Sequence, residues 1–136
     1  MSNDGATLFI TNTGDDRVLT LDLGTKNINI LAESVNGADG IVLDKKGNIW
    51  VAANQADQII VLNEFGQVVA QLGEFLGIKK DDSPNGLLFP ASLVIQGKWL
   101  FVTNLSLPLT DAGGDEPEEN IMKYTVSRIK IPANID

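Results

Sequence analysis

Short apolar runs alternate with polar turns along the chain. Leu8-Phe9-Ile10-Thr11-Asn12 is followed by a polar turn, Thr13-Gly14-Asp15-Asp16, and then by Arg17-Val18-Leu19-Thr20-Leu21-Asp22. Moved by 41 residues, from Leu8 to Ile49, the pattern returns. Ile49-Trp50-Val51-Ala52-Ala53 precedes Asn54-Gln55-Ala56-Asp57 and then Gln58-Ile59-Ile60-Val61-Leu62-Asn63. A third copy opens at Leu100-Phe101-Val102-Thr103-Asn104, and its second run arrives late, at Asn120-Ile121-Met122-Lys123-Tyr124-Thr125-Val126. β-Branched and aromatic residues fill the runs and glycines mark the turns, which predicts strands. No twelve-residue stretch carries helical periodicity.

A repeat of roughly 40–45 residues built from short strands has the period of a four-stranded propeller blade. The expected fold is all-β: three blades, about half of a six-bladed β-propeller, in a single partial domain over 1–136. The first blade, 1–36, is partial and begins at its second strand. The second, 37–75, is complete, with strands A to D at 39–44, 48–53, 57–63 and 67–72. The third, 89–132, has A at 91–96, B at 99–104 and C at 120–126, with at most a short D at 128–131. Three blades do not close a ring, and open blades leave faces and edges uncovered. Two expectations follow: a piece of a longer chain, or two copies pairing three plus three. A start at Met1 just before a B strand suits an internal methionine of a longer reading frame. The uncovered flanks of the first and third blades predict a dimer or larger, or docking on a missing half.

Composition narrows the chemistry. Apolar residues make up 43% of the 136, enough for a core in one domain. Ten basic residues against 18 acidic ones give a net charge of −8. That balance disfavours nucleic acid and anionic membranes as partners, because both reward positive charge. Cysteine and histidine are both absent. Disulfides, thiolate nucleophiles, Ser-His-Asp catalysis and every His or Cys metal site are thereby excluded. A metal bound here would be a hard cation with oxygen ligands, calcium before zinc. The N-terminus has neither the basic nor the apolar region of a signal peptide. No apolar run approaches the ~20 residues of a membrane helix. A cytoplasmic location is the default expectation.

Gly37-Ala38-Asp39-Gly40-Ile41-Val42-Leu43-Asp44-Lys45-Lys46-Gly47-Asn48-Ile49-Trp50-Val51-Ala52 resembles the blade signature of the senescence-marker-protein (regucalcin)/gluconolactonase family. In that family a P-D-G-hydrophobic-x-hydrophobic-D-x-x-G-x-hydrophobic-W-V-A run recurs. The third blade, from Phe89-Pro90-Ala91-Ser92-Leu93 to Asn104, is similar to the family's closing blade. Related runs occur in NHL-repeat and strictosidine-synthase-like propellers, which share fold and not chemistry. The resemblance implies a six-bladed propeller with one divalent metal, usually calcium, in its central channel. The metal polarises a sugar-lactone carbonyl. By position in the motif, Asp39 is the implied metal ligand and candidate base for the attacking water. By the resemblance, the family's first-blade Glu and its Asn-Gly motif are expected upstream of Met1, and the third-blade match to Asp39 is Ala91.

The residues read alone agree in part. B-to-C and D-to-A connections share one face of a propeller, and here that face holds the length: 32–38, 75–90 and 105–119. The opposite face has short turns at 23–27, 44–48, 63–67 and 96–98. Long loops on a rigid scaffold are where binding concentrates. Asp39 stands at that face, at the start of an inner strand. Its alternative reading is an Asx-turn before Gly40. The loop 105–119 carries Asp111, Asp115, Glu116, Glu118 and Glu119 without EF-hand spacing, and reads as a solvated insertion. Residues 75–90 read as a lid or an ordinary connection. Asn12, Asn54 and Asn104 close B strands at the same face, where an amide caps a turn or reaches a ligand. Trp50 and Trp99 read as inter-blade core, and Lys45-Lys46 as solvated.

Three functions remain open. One is half of a calcium-dependent lactonase acting on a small-molecule lactone, inactive by itself. The second is a non-catalytic, NHL-like propeller binding a ligand or protein through its long-loop face. The third is a non-functional fragment whose parent held the activity.

Overall fold

The computed structural model describes residues 1–106, 121, 123–133 and 135. β1 (Thr7–Asn12), β2 (Arg17–Asp22) and β3 (Ile28–Ala32) form one antiparallel sheet. β4 (Ala38–Leu43), β5 (Ile49–Ala53), β6 (Gln58–Leu62) and β7 (Val68–Leu72) form a complete four-stranded blade. β8 (Phe75–Ile78) and β9 (Pro84–Gly86) make a small hairpin. β10 (Pro90–Gln96), β11 (Trp99–Asn104) and β12 (Val126–Lys130) form the third blade. The repeat is carried by register: Leu8 faces Leu21 in the first blade and Ile49 faces Leu62 in the second. Among the described residues no helix is long and apolar enough to cross a membrane.

The middle blade explains why its strands read as unbroken apolar runs. Side chains alternate between the two faces of a strand, and both faces of this blade are covered. Ile49, Val51, Ala53, Ile60 and Leu62 pack toward the first blade with Val18, Val35 and Phe9. Trp50, Ala52, Ile59 and Val61 pack toward the third with Leu87, Leu100 and Val102. The core is thus two inter-blade layers.

Three sequence readings change. The third blade's C strand is Val126–Lys130, pairing Val102 with Ser127 and Leu100 with Ile129. Residues 128–131, offered as a D strand, therefore belong mostly to C; the run at 120–126 lies partly outside the described residues. The apolar run around Ile121 misled because β12 alternates strictly, with Val126, Arg128 and Lys130 exposed. Trp99 is not core: it is 36% exposed and lies under the Arg128 guanidinium, 4.4 Å from the ring centroid. Leu100 and Val102 take the inward positions of β11 instead. The connection 75–90 is a docked hairpin that places Leu87 in the core at 1% exposure. Most of the acidic loop 105–119 lies outside the described residues.

The short turns show what the D-x-x-G-N-x-W motif does locally. One Asp44 oxygen accepts from the backbone N–H groups of Lys46 and Asn48, each at 2.9 Å. The other accepts from Asn48 Nδ2 at 2.8 Å and Trp50 Nε1 at 3.0 Å. One carboxylate therefore closes the β4–β5 turn and ties it to the core indole. Asn63 repeats the device in the β6–β7 turn, accepting from Phe65 and Gln67 N–H. Lys46 is not merely solvated, since its ammonium donates to the Ile135 carbonyl.

Burial raises the Asp44 pKa, but the hydrogen bonds from Trp50, Asn48 and Lys46 outweigh it and hold the carboxyl below its ordinary value. A depressed folded-state pKa contributes stability that is present above the unfolded value of about 3.9 and is lost as pH falls through the folded value. The stability gap between wild type and Asp44→Asn is therefore expected to be full at pH 6 and to narrow below about pH 4. Denaturant melts across that range check this, and a pH-independent gap would contradict it.

Candidate functional site

The site is built on the edge where β4 begins. The β1–β2 and β5–β6 connections are single 3-10 turns, at Thr13–Asp15 and Asn54–Ala56. Each is closed by an Asp in the left-handed region, Asp16 at φ 54° and Asp57 at φ 53°. Asp16 Oδ1 accepts from Gly37 N–H at 2.7 Å, and Asp57 Oδ1 accepts from Phe89 N–H at 2.7 Å. Each aspartate thereby fastens the segment that enters the next inner strand. The sequence reading missed this pair, although its signal was present: Asp16 and Asp57 recur at the 41-residue offset.

Asp39 is held by the first of these anchors. Thr13 Oγ1 donates to the Ala38 carbonyl at 2.7 Å, and Asn54 N–H donates to the Gly37 carbonyl at 3.1 Å. Gly37 has φ +65°, and a Cβ there would collide with the Asn54 side chain, so only glycine fits. Gly40 faces the Ala91 carbonyl and Ser92 Cα of β10 so closely that a Cβ has no room. The glycine of the Asp39-Gly40 pair is thus explained by the approach of two inner strands.

The aspartate is not explained that way. Its carboxylate is half-buried and makes no hydrogen bond or ion pair with another described residue. Asp22, by contrast, accepts from Gly24 and Thr25 N–H, and Asp44 forms the turn above. The Asx-turn bond that would account for Asp39 structurally is absent among the described residues.

The three asparagines separate. Asn12 Nδ2 donates to Asp15 Oδ2 at 2.9 Å, a local bond across its turn. Asn104 is 4% exposed and fully used: its Oδ1 accepts from Leu88 N–H, and its Nδ2 donates to Thr125 and Ser127 hydroxyls. Asn54 is 5% exposed, and its Oδ1 has no hydrogen-bond partner among the described residues. An unpaired buried amide oxygen next to Gly37, two residues from Asp39, is a hard-cation donor type.

Calcium takes six to eight oxygens. Among the described residues no three His, Cys, Asp or Glu side chains converge. One carboxylate and one buried amide oxygen do not make that shell, so the described residues alone do not make up a complete calcium site.

The SMP-30/gluconolactonase/LRE-like region matches residues 1–73, just over half of the chain and the whole of its first two blades. The chain belongs to that family. In this SMP-30/gluconolactonase/LRE-like chain the third blade lies outside the matched region, but its fold continues the likeness. Regucalcin from Agrobacterium tumefaciens, described as a calcium-binding protein, superposes with a TM-score of 0.67 at 19% identity over 96% of this chain. The gluconolactonase XC5397 from Xanthomonas campestris gives 0.67 at 17% identity over 94%. A streptogramin B lyase gives 0.51 at 16% identity over 98%. At these identities the likeness establishes the fold, three blades of a β-propeller. The chain spans 44% of the regucalcin and 40% of the gluconolactonase. A search of the curated proteins gives no match.

Proposed function

We propose that this chain supplies three blades of a metal-dependent lactonase-type propeller, with Asp39 as its contribution to the hydrolytic centre. The observation that carries the reading is the Asp39 carboxylate, anchored at the start of an inner strand and without a hydrogen-bond or ion-pair partner among the described residues. Membership of the SMP-30/gluconolactonase/LRE-like family supports it. Lactone hydrolysis needs water to attack the carbonyl carbon while the ring C–O bond breaks. A carboxylate at the channel accepts the proton that water loses. The divalent cation this reading implies, calcium first, requires oxygens from blades beyond these three. The chain by itself is therefore expected to bind calcium weakly and to hydrolyse no lactone.

The test is made on a protein carrying the full ring. Asp39→Asn keeps the shape and removes the negative charge and the basic oxygen. Hydrolysis is expected to fall roughly 10²–10⁴-fold, with calcium affinity lowered in calorimetric titration and the unfolding midpoint unchanged. A ring variant that hydrolyses lactone and binds calcium like wild type would show that Asp39 has no part in the chemistry.

A further inference from the structure

The second and third blades carry the same irregularity at the start of their inner strands. In the second blade Ala38 faces Ala53 and Ile41 faces Val51, so Asp39 and Gly40 together oppose the single residue Ala52. In the third blade Pro90 faces Asn104 and Leu93 faces Val102, so Ala91 and Ser92 together oppose Thr103. Both are β-bulges, which free the extra residue from the ladder and re-aim a side chain. The Asp39 carboxylate therefore takes its direction from a stretch of backbone that β5 does not hold in register.

The two bulges are pinned differently. In the third blade the opposing residue does it: the Thr103 hydroxyl accepts from Ser92 N–H at 3.0 Å and donates to the Ser92 carbonyl at 3.3 Å. In the second blade the opposing residue is Ala52, which has no hydroxyl to offer. There the pin comes from the neighbouring blade. Thr13 Oγ1 donates to the Ala38 carbonyl at 2.7 Å, which fixes the peptide plane leading into Asp39. This bond is not part of the frame common to the repeats. Asp16 and Asp57 make the same bond at both seams, to Gly37 and Phe89 N–H. Thr13, however, is matched at the 41-residue offset by Asn54, which makes no such bond to the Pro90 carbonyl among the described residues. The extra clamp stands where the inner strand carries a carboxylate, and is missing where its counterpart carries Ala91.

We propose that Thr13 is a positioning residue for Asp39: its hydroxyl, reaching across the seam between the first and second blades, holds the bulge so that the carboxylate keeps one direction at the channel face. Its effect on hydrolysis rests on the lactonase reading, whereas the orientation of Asp39 does not. The site then depends on two blades, the second supplying the carboxylate and the first its aim. Thr13 is exposed, so Thr13→Val keeps shape and branching, removes the hydroxyl and opens no cavity.

Two measurements test the orientation and its consequence separately. On the 136-residue chain, NMR relaxation of the backbone amides reads the order of the Asp39 N–H vector. Thr13→Val is expected to lower its order parameter from about 0.85, the value of rigid backbone, toward about 0.6. Thr13→Ser is expected to restore it. Thr103→Val makes the same chemical change at the third-blade bulge, and is expected to loosen Ser92 and leave Asp39 as in wild type. On a protein carrying the full ring, Thr13→Val is expected to lower kcat for lactone hydrolysis on the order of 10²-fold with KM nearly unchanged, the effect of a slightly misplaced group. In an Asp39→Asn background it is expected to add nothing, since the two residues act as one unit. An Asp39 N–H as ordered in Thr13→Val as in wild type overturns the proposal. So does a loss of hydrolysis that is equally large in the Asp39→Asn background, which would mark Thr13 as a general support of the fold. Loosening of Asp39 by Thr13→Val in a ring that Asp39→Asn leaves fully active would uphold Thr13 as the residue that orients Asp39 and overturn the lactonase reading alone.

Discussion

Replacing Trp50 with alanine is expected to remove most of the stability of this chain. Trp50 is 1% exposed and lies in the layer between the second and third blades, against Leu100, Val102 and Leu87. Large-to-small substitution of a buried tryptophan costs about 3–5 kcal/mol, partly in lost transfer energy and partly in the cavity left behind. Whole domains are stable by roughly 5–15 kcal/mol, so little margin remains. The indole N–H also donates to Asp44, which closes the β4–β5 turn. Trp50→Phe separates the two effects. It keeps most of the packing and leaves Asp44 short of one donor, a loss of about 1 kcal/mol from the hydrogen bond. Denaturant unfolding of both variants checks the order. An alanine variant within 1 kcal/mol of wild type would mean that the inter-blade layer is not the core.

The second large effect is expected at Asn104. This side chain ties β11 to two segments that are distant in sequence: Leu88 before β10, and Thr125 and Ser127 at the start of β12. Ser127 passes the network on, donating from its hydroxyl to the Gly86 carbonyl at 2.9 Å. Asn104→Ala leaves the buried Leu88 N–H without an acceptor and frees both hydroxyls. A buried donor left unsatisfied costs about 1–3 kcal/mol, and loss of the network adds to it. Hydrogen exchange should show the loss first along β12, with the middle blade still protected. Uniform loss of protection across all three blades would mean that Asn104 supports the whole array and not this strand.

Asn104 and Trp99 also show where reading the chain stops short. Local pattern and repeat were enough for the blades, for β1 and β2 and for the four strands of the middle blade, because strand alternation and turn chemistry act over neighbouring residues. Asp44 and Gly47 could be read as a turn for the same reason. Asp39 stood out through its place in a recurring motif at the start of an inner strand, together with the loop lengths on that face. The C strand of the third blade was misplaced because a long insertion separates it from β11, and no local signal fixes register across such a gap. Trp99 was read as core because large aromatic residues in strands usually are. Its burial depends on which alternate positions of β11 meet the second blade, and that is decided when blades pack.

The sequence alone therefore determined the repeat and the blade type, and excluded histidine and cysteine chemistry, since these follow from composition and from spacing over a few residues. Tertiary structure alone decided that Asp16 and Asp57 fasten the inner strands. It decided that Gly40 is required by the approach of β4 to β10. It left Asp39 and the Asn54 amide oxygen without a partner among the described residues. These depend on contacts between residues far apart in sequence, such as Asp57 with Phe89 and Gly40 with Ala91, whose energies exist only after the blades have packed side by side.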